Sequence, residues 1–300
     1  MKSTDNFEQL QSELKNFQEI AQHIMPAPGE IPTLKGIEVY GGTIPLNGTV
    51  GGDHIIYVDF KKRYDLNARI RQASAEGRVD VTNQLEWCKR KAGIAILDVS
   101  GHHATDGLLA AMMHQSFLLG VTYELDMHGN VTKRLFENLN TRFYHSSSLN
   151  KFVTMIYGEI SEDTTFRFLS AAHPPPVVFS NQHNRFMEVG PSLCVSFPPL
   201  GLMPSLGIDR NATESVLGFT DRYQMNEWSI MGAGDILLLH SDGLVEHGRK
   251  HESYFPHHLE RKLREVKHLG AKEIFEAVRD DLQAFADPSD DISFVIIKRT

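Results

Sequence analysis

The chain has 300 residues, 41% of them hydrophobic, enough to bury one large domain or a domain with a short appendage. Its 30 Lys and Arg against 38 Asp and Glu give a net charge of −8, which argues against a nucleic-acid binder with a basic face. Two cysteines, Cys88 and Cys194, cannot make a disulfide framework and read as reduced thiols in a cytoplasmic setting. The N-terminus lacks an apolar signal core, and no apolar run is long enough to cross a bilayer.

Residues 5–25 predict a helix, because Phe7, Leu10, Leu14, Phe17, Ala21 and Ile24 recur at alternating spacings of three and four. This seam fits either self-association or packing on the chain's own domain. Pro26, Pro28 and Pro32 end it. We therefore divide the chain into a helical segment over 1–30 and a domain over 31–300.

Ile37–Tyr40 and His54–Phe60 predict strands, and 61–90 reads as a polar surface excursion or short helix without a clear period. A buried strand follows at 93–99, then an apolar helix over 107–119 and a second helix over 130–145. Lys151–Ile160 and Thr165–Ala171 read as a hairpin, with a short strand at 176–179. Residues 191–228 are loop-rich, with Pro198–Leu202 the one ordered-looking piece. A strand at 235–240, a charged segment with helix potential, a helix over 271–285 and a final strand over 292–298 complete the chain. Strands in hairpin-like succession broken by two runs of helix suggest an α/β sandwich dominated by antiparallel sheet. Neither a Gly-x-Gly-x-x-Gly turn nor a Walker lysine is present.

Four apolar runs meet a turn at an aspartate: Asp53 after Gly51-Gly52, Asp98 at the end of Gly93–Leu97, Asp242 before Gly243, and Asp290-Asp291 before the last strand. Any one such Asp is ordinary turn or cap chemistry. Four at strand ends, with no matching Cys or His set, suggest all-oxygen ligation of Mg²⁺ or Mn²⁺ rather than zinc.

These residues, with Asp98-Val99-Ser100-Gly101-His102, Phe152–Gly158, Ala171–Pro176, Pro199–Leu202 and Gly234–Gly243 in that order, resemble the SpoIIE/RsbU branch of the metal-dependent PPM (type 2C) serine/threonine protein phosphatases. The resemblance runs from about residue 20 to the C-terminus. It implies two antiparallel sheets between helices, with two Mn²⁺ or Mg²⁺ ions at one end. By resemblance, Asp98 bridges both ions, the Val99 carbonyl and Asp53 complete the second site, and Asp242 with Asp290 completes the first. Asp291 is expected just outside the ligand set. Two such ions, about 4 Å apart, activate water and clamp phosphoryl oxygens for in-line displacement.

His102 is a candidate general acid, although a His in a tight turn also serves as a structural hydrogen-bonding residue. His173 reads as structural, and Arg63 and Arg69 are unranked candidates for a phosphate clamp. The chain departs from the family pattern at Ile56, where a second acid is usual and Asp59 is displaced along the strand. It departs again at His103, which replaces a glycine, and in the long segment 203–233. The resemblance implies a phosphoserine phosphatase acting on a STAS-type anti-sigma-factor antagonist in a partner-switching circuit; the heptad seam over 5–25 suggests a helix that dimerises or receives an upstream regulator. The alternatives are a catalytically inactive phosphatase-fold scaffold and a hydrolase of a small phosphoester.

Overall fold

The computed structural model describes residues 9, 11–13, 15–16, 19–20, 30–46, 51–101, 104–146, 151–190, 193–208, 217–229 and 231–300. The strands are β1 (Ile37–Ile44), β2 (Asp53–Asp59), β3 (Lys91–Val99), β4 (Val153–Ser161), β5 (Phe166–Ala171), β6 (Val177–Ser180), β7 (Arg185–Phe186), β8 (Ser196–Phe197), β9 (Asn226–Trp228), β10 (Ile236–His240), β11 (Gly248–Arg249), β12 (Glu252–Ser253) and β13 (Ile292–Arg299). The helices are α1 (Phe60–Arg63), α2 (Leu66–Ala75), α3 (Val79–Cys88), α4 (Ala104–His128), α5 (Lys133–Ser146), α6 (Asp242–Glu246), α7 (His257–Val266) and α8 (Ala271–Phe285).

One sheet runs β1-β13-β10-β6-β7 and the other β2-β3-β4-β5-β8, with β9 added on β5. All of these pairings are antiparallel except β5 with β8. The expected antiparallel α/β sandwich is therefore the observed fold.

The two-residue period of a strand sorts the side chains into layers. On β2 and β3, Ile55, Tyr57, Ile94 and Ile96 face the other sheet, where they meet Val39, Leu237, Leu239, Val295 and Ile297. Their neighbours Ile56, Val58, Ala95, Leu97 and Val99 face outward onto α4 and α5, against Phe117, Val121, Leu125 and Phe136. On the other side, Ile236, Leu238, Phe294 and Ile296 pack against Leu259, Leu263, Ile274, Val278 and Leu282 of α7 and α8. Both sheets are thus buried on two faces, which explains why their strands read as apolar runs. Each fully buried Ile or Leu stabilises this arrangement by about 1.5–3 kcal/mol.

The stretch 61–90, expected as a surface excursion or short helix, holds three helices between Phe60 and Cys88. Their apolar positions are too few for a visible period, and side-chain capping sets the starts of the first two: Asp59 accepts from the backbone N–H of Lys61 and Lys62, and Asp65 from that of Ala68. The apolar helix expected over 107–119 runs from Ala104 to His128. Residues 9, 11–13, 15–16 and 19–20 are helical and exposed, but all six positions of the 5–25 seam lie outside the described residues. Cys88 and Cys194 are both free thiols. Among the described residues, no helix is long and apolar enough to cross a membrane.

Candidate metal and phosphate site

The layer between the sheets is apolar along most of its length and turns polar at one end. Extending the same alternation, Asp53 on β2, Asp98 on β3, Thr154 on β4 and Ser293 on β13 share the face of the inter-sheet isoleucines and valines. Asp53 and Asp98 stand opposite each other in the β2–β3 register, and Thr154 stands opposite Asp98 in the β3–β4 register.

Asp53 is buried at 4% exposure, and its Oδ2 accepts from Ser241 Oγ at 2.6 Å. Ser241 belongs to the other sheet's end of the site. It exchanges two bonds with Ser293, whose N–H donates to Ser241 Oγ at 3.0 Å and whose carbonyl accepts from the Ser241 N–H at 2.9 Å. Ser241 also caps α6, so Asp242 stands at the first position of that helix. Burial, followed by the neighbouring Asp98, pushes the Asp53 carboxyl well above its usual range, Asp291 adding to the rise and the Ser241 bond opposing it.

Asp291 has a different task from that of a water-facing acid. It is buried, and its two oxygens accept from the backbone N–H of Leu46 at 2.7 Å and of Gly52 at 2.8 Å. These bonds fasten the start of β13 to the segment that delivers Asp53. Asp290 accepts from the Asp291 N–H at 2.7 Å. Gly52 must be glycine on packing grounds, because a Cβ there would come within 2.9 Å of the Val99 carbonyl oxygen and 3.3 Å of Asp98 Oδ1.

The donor chemistry fits a hard divalent cation. Mutually repelling carboxylates, drawn from both sheets and joined by a backbone carbonyl, are what such an ion neutralises. The charge is gathered more fully than the ligands are: among the described residues, no three Asp, Glu, His or Cys side chains already converge on one point.

Other expected residues fall elsewhere. Asp59 caps α1 at the opposite end of β2 and accepts from the Thr33 N–H at 3.2 Å, so it does not replace the acid missing at Ile56, which is itself core. Arg63 pairs with Glu30 at 2.9 Å and Arg69 with Asp126, so carboxylates already engage both guanidinium groups. His173 is buried with Nδ1 at 3.0 Å from Thr154 Oγ1, consistent with a structural role. His102 and His103 lie outside the described residues.

Sequence reasoning missed Asn140. This buried side chain on α5 donates to the Met203 carbonyl and to Ser205 Oγ, both at 2.8 Å, and accepts from the Gly201 N–H at 2.8 Å. It thereby anchors the start of the long 203–233 segment. Its only sequence signal is an amide on the apolar side of an amphipathic helix.

Comparison with known proteins identifies the fold's relatives. The family model described as Stage II sporulation protein E (SpoIIE) matches residues 89–300, more than half of the chain. The chain belongs to the SpoIIE family, within the PPM-type phosphatases. It is 25% identical over 175 residues to phosphoserine phosphatase RsbP of Bacillus subtilis (strain 168), covering 58% of this chain but only 38% of that protein's length. The SiaA-PP2C domain of Pseudomonas aeruginosa superposes with a TM-score of 0.65 at 14% identity, over 100% of both chains. RsbX, solved in complex with magnesium, superposes with a TM-score of 0.52 at 12% identity, over 89% of this chain and 98% of that one. The SpoIIE-family match starts at residue 89, beyond β2 and Asp53, so the first of the four strand-end aspartates is placed by the fold and not by the family model.

Proposed function

We propose that this SpoIIE-family chain is a metal-dependent protein phosphatase that hydrolyses phosphoserine on a bacterial regulatory protein. The substrate class proposed is a STAS-type anti-sigma-factor antagonist in a partner-switching pathway. The observation that carries the reading is the opposition of Asp53 and Asp98 on neighbouring strands, with Ser241 linking Asp53 to the helix that begins at Asp242.

Asp53, Asp98, the Val99 carbonyl, Asp242 and Asp290 are the residues proposed to hold two Mn²⁺ or Mg²⁺ ions. Bound there, the ions would supply Lewis-acid activation for in-line displacement at phosphorus. The chain's own residues prepare the site. Ser241 fixes the rotation of the Asp53 carboxylate, Asp291 fastens the Gly52 and Leu46 backbone to the start of β13, and Thr154 with His173 fills the polar layer beside Asp98. His102 is the candidate proton donor to the departing serine oxygen. The helical segment over 1–30 is proposed as the place where an upstream partner or a second copy engages the 31–300 domain.

The test is hydrolysis of an aryl phosphate and of a phosphoserine-bearing STAS protein by the purified chain, with Mn²⁺ and with chelator. Mn²⁺-dependent release of phosphate, abolished by Asp98→Asn, is the expected result. Absence of both hydrolysis and Mn²⁺ binding would replace this reading with that of an inactive phosphatase-fold scaffold.

A further inference from the structure

Immediately before β4, Lys151 places its Nζ 2.6 Å from the Ser100 carbonyl oxygen and 2.6 Å from Asp106 Oδ1. The Asp106 carboxylate, in the first turn of α4, is fully buried, whereas the Lys151 side chain keeps 24% of its exposure. Ordinary surface ion pairs join two solvated groups and do little for either. Here one partner has no water to fall back on, and the lysine supplies a compensating positive charge.

The pair closes over Gly101. That residue has φ of +120°, and a Cβ on it would come within 2.5 Å of Lys151 Nζ and 2.6 Å of Asp106 Oδ2. The same turn is stitched on its backbone side: the Val99 N–H donates to the Gly52 carbonyl at 3.3 Å and the Ser100 N–H to the Phe152 carbonyl at 3.0 Å. The Phe152 N–H returns a bond to Ser100 Oγ at 3.1 Å. One amino group therefore ties together the approach to β4, the turn that follows Asp98 and the first turn of α4.

We infer that Lys151 is a positioning residue: by holding the Ser100–Gly101 turn against Asp106, it sets the direction of the Val99 carbonyl and of the Asp98 carboxylate. Its meaning for catalysis rests on the phosphatase reading above, but its grip on the turn does not. A residue that orients ligands from behind commonly changes metal affinity by about tenfold or more when removed.

The experiment compares wild type, Lys151→Met, Lys151→Arg and Asp106→Asn in the full chain. The readouts are amide hydrogen exchange, Mn²⁺ binding by electron paramagnetic resonance, and aryl phosphate kinetics at saturating Mn²⁺. In Lys151→Met the Val99 and Ser100 amides are expected to exchange about tenfold faster, Mn²⁺ binding to weaken about tenfold, and kcat to fall more than KM. Lys151→Arg should recover most of each effect. Asp106→Asn, which keeps shape and removes charge, should repeat the pattern if Lys151→Met does not fold. Unchanged exchange at Val99 and Ser100 in Lys151→Met or Asp106→Asn overturns the inference, as does unchanged Mn²⁺ binding in a wild type that binds it. A wild type with neither Mn²⁺ binding nor hydrolysis defeats the phosphatase reading, while the exchange rates still decide whether Lys151 holds the turn.

Discussion

Ser241 donates a 2.6 Å hydrogen bond to Asp53 across the gap between the two sheets, joining residues 188 positions apart in the chain. The same hydroxyl oxygen accepts from the Ser293 N–H. Ser241→Ala therefore strands a buried donor and a buried carboxylate oxygen together. A loss of about 1–3 kcal/mol is expected, read as a lower urea midpoint, and Mn²⁺ affinity should fall with it. A midpoint equal to wild type would mean that Asp53 is held by other contacts.

Asp53 itself should trade stability for activity. Burial and the adjacent carboxylates raise its pKa in the fold, so ionising Asp53 costs the folded chain free energy that the unfolded chain does not lose. This penalty is present above the ordinary carboxyl range and is relieved as pH falls through the raised value. Asp53→Asn is expected to raise stability in chelator by on the order of 1 kcal/mol, seen as a higher melting temperature, and to abolish the stabilisation that Mn²⁺ gives. Melting curves with chelator and with Mn²⁺ decide it. An Asn variant that melts below wild type in chelator would show that the cluster is not strained.

The buried pair Lys91–Glu159, at 2.6 Å with Tyr157 also donating to Glu159 at 2.9 Å, lies under the helical layer at the far end of β3 and β4 from the site. Although burial opposes its charge, the Glu159 carboxylate holds the Lys91 ammonium above its usual pKa. Lys91→Met leaves that carboxylate uncompensated and should cost about 3–5 kcal/mol. Lys91→Met combined with Glu159→Gln should recover most of the loss. A urea melt in which the double variant is no better than the single one would refute this account.

Acid should unfold the protein earlier than its surface charge suggests. Burial lowers His54 to about 3, with His114 adding to the effect, and lowers His114 to about 4, with Arg63 adding to it. His173 falls to about 3 through burial and then His240, and burial lowers His240 as well. Below pH 6.5 the unfolded chain binds protons that these folded imidazoles refuse, so stability drops as pH falls toward 4, by at most about 1.4 kcal/mol per pH unit for each group. Asp53 acts in the opposite direction, one carboxyl against four rings. Urea midpoints at pH 7.5, 6 and 5 should decline in that order, with a shallower decline in His114→Gln. A midpoint that rises on acidification would contradict the sign.

Much of the site was legible because strands announce their faces. The runs ending at Asp98 and at Asp242, and the Gly51-Gly52 step before Asp53, mark carboxylates at strand ends, and the fold gathers Asp53 and Asp98 by simple register. What alternation does not show is which distant element closes a bond on each acid. Nothing near Asp291 in sequence reveals that Leu46 and Gly52 will occupy both its oxygens. The helices over 60–88 escaped because α1 is only four residues long and α2 and α3 bury only two residues each. The signals the sequence does carry are the capping residues Asp59 and Asp65. Strands of two or three residues such as β8 and β9 have no period to read.

Asp59 gives β2 a second fixed end. Where Asp53 faces the site, Asp59 at the other terminus binds the Thr33 N–H, while Lys61 holds the Thr33 carbonyl and Lys62 the Ile31 carbonyl. An extended strand is nearly inextensible, so a seven-residue rod about 20 Å long joins the two clamps. The tether of residues 30–33 is thus joined through a single strand to a carboxylate of the site.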